Sequence, residues 1–108
     1  MKVYNIKSDL PRVELAAKRL EMIIKYEKEP IIKIIHGYGS SGLGGKIKEM
    51  VHQTLEMMKS KHQIKDFIPG EAFGYLLGFD EKIKKYRNLL ATDSDYRKVN
   101  EGITYILI

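Results

Sequence analysis

The chain has no cysteine among its 108 residues. That excludes a disulfide framework, thiolate catalysis and cysteine-ligated zinc, and leaves stability to core packing and hydrogen bonds. No apolar run approaches the roughly 18 residues needed to span a bilayer, and there is no internal repeat or low-complexity segment. The start, Met1-Lys2-Val3-Tyr4-Asn5, has too few apolar residues for a secretory signal, so a cytoplasmic location and no membrane partner are expected. The histidines His36, His52 and His62 match no metal-binding spacing, and the scattered acids offer no pair for a two-metal site. His52 and His62 are expected to be solvated or partly buried, and neither metal nor cofactor is expected.

What remains is a single domain over residues 1–108, with 44% hydrophobic and 31% charged residues, enough for one modest core. The net charge of +5 favours polyanionic partners such as nucleic acid. Basic residues exceed acids through Ile68, whereas the remainder is balanced.

The alternation in Lys2 to Ile6 predicts a short strand. Ser8-Asp9-Leu10-Pro11 predicts a helix start, with a capping side chain ahead of a first-turn proline. Val13, Ala16, Ala17, Leu20, Ile23 and Ile24 then recur at helical spacing in a helix from Pro11 to about Lys28, stopped at Glu29-Pro30. Ile31 to Ile35 is apolar enough to be a strand buried on both faces. Ile47, Met50, Val51, Leu55 and Met58 define a second amphipathic helix from about Gly44 to Lys61, its methionines read as packing. A strand over Ile64 to Ile68 ends at Pro69-Gly70. Glu71 to Leu77 and Asp80 to Leu90 have helical character, Thr92 to Arg97 is a polar connection, and Ile103 to Ile108 is a terminal strand that belongs inside a sheet. The expectation is a two-layer α/β domain, β-α-β-α-β, a helical insertion over 69–101, then β, with a mixed four-stranded sheet.

The densest chemistry lies where the second strand meets the second helix. His36 ends the apolar run, and Gly37, Gly39, Gly42, Gly44 and Gly45 follow within nine residues. Glycines that adopt φ > 0 expose backbone N–H groups, and a helix start adds unpaired donors, so the segment has the grammar of an anion site. Gly37-Tyr38-Gly39-Ser40-Ser41-Gly42 matches the dinucleotide fingerprint literally, with Asp66 as a conceivable ribose-binding acid. Architecture opposes it: the motif follows the second strand, and about 70 residues leave no room for a substrate domain. A triphosphatase loop fails because Gly45-Lys46 is followed by Ile47, and Ser40 stands where its first glycine belongs.

Ile35-His36-Gly37-Tyr38-Gly39-Ser40-Ser41-Gly42 resembles the second signature of Smr, or small MutS-related, domains, a loop between the second strand and second helix. The likeness extends to the helix from Pro11 to Lys28, the strand Lys65-Asp66-Phe67-Ile68 and the segment Gly102 to Ile108. It implies a fold similar to Smr domains and to the C-terminal domain of a translation initiation factor. It also implies nucleic-acid binding with DNA-nicking or RNA-cleaving activity, and DNA or RNA as partner. One signature departs: where active members carry Asp-Leu-His-Gly, this chain has Asn5-Ile6-Lys7-Ser8, with Asp9 the nearest carboxylate. Phosphodiester hydrolysis needs groups that activate the nucleophile and stabilise the leaving oxygen, and half of that set is missing.

His36 is the catalytic candidate, since an imidazole beside a glycine loop donates to phosphate or shuttles a proton; its other role is to hydrogen-bond the loop backbone. Gly37, Gly39, Ser40, Ser41 and Gly42 are candidate phosphate binders through the loop. Lys46 and Lys48 join them because positive charge at a helix start opposes the macrodipole and favours a bound polyanion. Tyr38 is placed to stack on a base. Lys7, Arg12 and Lys33 extend a phosphate track only if the fold puts them on one side. The alternative function is binding of a nucleotide or small phosphorylated ligand in the same loop.

Overall fold

The apolar periodicities settle into β1 (Lys2–Asn5), α1 (Val13–Tyr26), β2 (Ile31–Ile35), α2 (Leu43–Ser60), β3 (Asp66–Pro69) and, last, β4 (Ile103–Leu107). Between β3 and β4 lie a 3-10 turn (Gly70–Phe73) and two short helices, α3 (Asp80–Lys85) and α4 (Arg87–Leu90). The computed structural model describes residues 1–8, 12–38, 43–74 and 78–108. The anticipated cap before α1 involves residues 9–11 and lies outside them.

The sheet is mixed and open, in the order β1-β2-β4-β3. β1 runs parallel to β2, and β4 runs antiparallel to both β2 and β3. The α/β class and the mixed four-stranded sheet match expectation. β4 takes a central place because every residue from Ile103 to Leu107 is apolar enough, or well enough paired, to be buried.

The alternation of side chains divides the core into two. On one face Ile32, Ile34, Phe67 and Ile106 pack against Ala16 and Leu20 of α1 and Ile47, Val51, Leu55 and Met58 of α2. On the other, Ile31, Ile68, Ile103, Tyr105 and Leu107 pack with Ala72, Leu90, Phe73, Phe79, Ile83, Tyr86 and Tyr96. The expected two layers are therefore three, because the segment 69–101 covers the second face. The reason is in β2 and β4, whose near-continuous apolar runs leave neither face fit for water. Each isoleucine or leucine so covered contributes about 1.5–3 kcal/mol.

Lys33 faces this second layer and is only 5% exposed. Its Nζ donates to Asp93 at 3.0 and 3.1 Å and to Asp95 at 2.6 Å, while the Tyr105 hydroxyl donates to Asp93 Oδ2 at 2.7 Å. Lys33 consequently fastens the excursion to the sheet and takes no part in a phosphate track. The same closure requires a glycine at position 70, where a Cβ would lie 2.0 Å from the Asn100 carbonyl oxygen. At the end of α2, Gln63 N–H donates to Met58 O at 2.8 Å, and His62 turns the chain with φ 60°. His62 is thus an exposed helix terminator.

Candidate functional site

Strand register gathers distant segments at one edge of the sheet. Asn5 pairs with Ile35, Ile35 with Ile103, and Pro69 with Thr104. The residues following β1, β2 and β3, the residue preceding β4, and the start of α2 therefore share the edge at the C-terminal ends of the first three strands.

His36 sits just inside this edge with no exposed surface. Its Nδ1 is 2.6 Å from the Gly37 carbonyl oxygen, and its Nε2 is 2.8 Å from Thr104 Oγ1. Thr104 Oγ1 is also 3.1 Å from Nε2 of His52, on the third turn of α2. A carbonyl oxygen only accepts, and a fully buried imidazole is neutral, which together set the direction of the chain. His36 Nδ1–H donates to Gly37, Thr104 Oγ1–H donates to His36 Nε2, and His52 Nε2–H donates to Thr104. Both imidazoles are neutral in this arrangement. Burial pushes His36 down to about 4, with the neighbouring His52 and Lys48 acting in the same direction against the backbone of Gly37 and Ile103. Burial also lowers His52, opposed by Glu71 and reinforced by Lys48.

Gly37 has φ 76°, a backbone that only glycine adopts freely, and its N–H donates to Gly102 O at 3.1 Å alongside His36 N–H at 2.9 Å. The amide that the sequence offered to an anion is thus engaged in joining β2 to β4. Tyr38 is 61% exposed beside it. Lys46 is exposed, whereas Lys48 is half-buried and ion-paired with Glu71 of the 3-10 turn. Glu71 Oε1 is buried without a partner among the described residues. Gly39, Ser40, Ser41 and Gly42, expected to bind phosphate, lie outside the described residues, as does Asp9.

Lys7 and Arg12 are exposed where β1 leads into α1. Arg19 braces that turn by donating to Ile6 O at 3.3 Å and Ser8 O at 2.9 Å. Asp66, the conceivable ribose acid, opens β3 and pairs with Leu107 at the opposite sheet edge from the glycines. It is neutralised by Lys59 at 3.2 Å and Lys82 at 2.8 Å, which removes the last support for a dinucleotide fingerprint.

Three residues of the site escaped the sequence: His52, Thr104 and Glu71. A signal existed for Thr104, one of two hydroxyl side chains in the apolar strand Ile103–Leu107; the other, Tyr105, serves Asp93 on the opposite face. His52 stands one turn beyond Lys48, a spacing that puts both on one helix face. Compared with protein-family models, curated proteins and solved structures, the chain matches none.

Chemically, the edge combines exposed ammonium and guanidinium groups with an exposed aromatic ring. Behind it lies a neutral, directed hydrogen-bond chain. The first suits phosphate and base; the second orders the turn after β2.

Proposed function

We propose that the protein binds nucleic acid through backbone phosphates along this sheet edge, beside the glycine segment 37–45. The observation that carries the reading is the exposure of Lys7, Arg12, Lys46 and Tyr38, all on segments that follow the paired ends of β1 and β2 or start the helices after them. Cations on separate elements suit the spaced charges of a polynucleotide, and the tyrosine offers a stacking surface for an unpaired base. The resemblance of Ile35 to Gly42 to the Smr signature supports the same conclusion. His36 is then a positioning residue: sealed from solvent and neutral, it orders the turn and exchanges no proton with a phosphodiester. Binding is accordingly the function proposed, and strand cleavage is not assigned to His36.

The test is a titration with single- and double-stranded DNA and RNA at two salt concentrations. Three phosphate contacts predict an affinity loss of roughly 20- to 40-fold between about 50 and 200 mM salt. Replacing Lys7, Arg12 and Lys46 by alanine should remove most of that salt dependence without lowering the melting temperature. Mononucleotides and sugar phosphates should not saturate the site. Absence of saturable polynucleotide binding at the lower salt refutes the proposal.

A further inference from the structure

Among the described residues, the only buried side-chain polar atom without a partner is Glu71 Oε1. His52 is half-buried, and no hydrogen bond to its Nδ1 is formed by the described residues. Its chemistry is dictated from behind. Because Gly37 O must accept and the fully buried His36 ring is neutral, the chain through His36 and Thr104 makes His52 the Nε2–H tautomer and leaves a lone pair on Nδ1. The ring is held edge-on to His36, with centroids 5.7 Å apart, and is flanked by Phe67 at 6.0 Å. On the same face of α2, Lys48 is kept beside it by Glu71. A fixed acceptor thus lies beside the Lys48–Glu71 ion pair.

Resting on the reading of this edge as a polynucleotide site, we infer that the nucleic acid is RNA. A ribose 2′-hydroxyl donates to His52 Nδ1, while the exposed cations of the edge take the phosphates. The argument is one of donors and acceptors. A sugar–phosphate backbone of DNA carries acceptors only, so it satisfies lysines but offers nothing to an imidazole lone pair. RNA places one hydroxyl donor beside every phosphate, whatever the base sequence. Backbone-led binding with a built-in acceptor therefore discriminates by sugar.

The experiment compares single-stranded RNA and DNA of identical sequence, binding to the whole chain at low salt. One hydrogen bond predicts RNA tighter by roughly 3- to 10-fold. His52→Ala should bring RNA down to the DNA affinity and leave DNA unchanged. A measurement on the unmutated protein accompanies it: nitrogen NMR of the labelled imidazoles. The free protein should show His52 unprotonated at Nδ1, with that resonance moving on addition of RNA and not of DNA. Equal RNA and DNA affinities, an equal loss of both in His52→Ala, or a protonated Nδ1 in the free protein each overturn the inference and leave phosphate-led binding standing. Failure of both polymers to bind refutes the function itself. Should His52→Ala not fold, the NMR result on the unmutated protein decides.

Discussion

Acidification is the sharpest perturbation of the buried histidine chain. His36 titrates near 6.5 when free of the fold and near 4 within it, because burial penalises the imidazolium. Its folded affinity for protons is the lower one, so its contribution to stability is fully present above the unfolded value and drains away as pH falls from 6.5 toward 4. The difference corresponds to about 3 kcal/mol once complete, of which about 2 kcal/mol is lost by about pH 5. His52, lowered by the same cause, adds to it with the same sign. Asp66, Asp93 and Asp95 have depressed carboxyl groups and behave otherwise: their stabilisation persists down to the ordinary carboxylate range near 3.8 and is lost below it. The window from about pH 6.5 to 4.5 therefore belongs to the histidines. Urea unfolding at several pH values and constant ionic strength measures the loss, and NMR titration of the His36 ring measures its folded midpoint. Against a typical total of about 5–15 kcal/mol, the fall should be plain. A stability that is flat across this window, or a folded His36 midpoint near 6.5, would refute the sealed, neutral chain.

Three other outcomes follow from the packing and the edge. Lys33→Ala should cost about 3–5 kcal/mol near neutral pH by leaving Asp93 and Asp95 without their buried cation, and the deficit in urea unfolding should shrink as those carboxylates protonate. Gly37→Ala should cost about 1–2 kcal/mol because its φ of 76° strains any side chain, measurable as a lowered unfolding midpoint; an unchanged midpoint contradicts the turn. Lys46→Ala, at an exposed position, should leave thermal stability unaltered while reducing the salt slope of polynucleotide binding by about one.

Local pattern was enough for the elements whose burial follows one periodicity. Ala16 and Leu20, and likewise Ile47, Val51 and Leu55, are fully buried or nearly so on the helix stripes that the spacing marked. The 69–101 segment resisted because its apolar residues are distributed over a 3-10 turn, two helices of six and four residues and a polar connection. None of these described elements is long enough to show a period. Lys33 illustrates the same limit from the other side: a charge in an apolar strand looks available to phosphate until the partner carboxylates, 60 and 62 residues later, are brought beneath it.

By itself, then, the sequence determined the α/β order, the apolar strands β2 and β4, the two amphipathic helices, and the glycine-rich turn after His36. These rest on interactions within a few residues, which spacing records directly. Only the tertiary structure decided that the excursion makes a third layer, that Gly37 binds Gly102, and that His36 reaches His52 through Thr104. Those outcomes depend on β4 inserting between β2 and β3. A hydrogen bond spanning 68 residues exists only once that strand order has put its two ends within 2.8 Å.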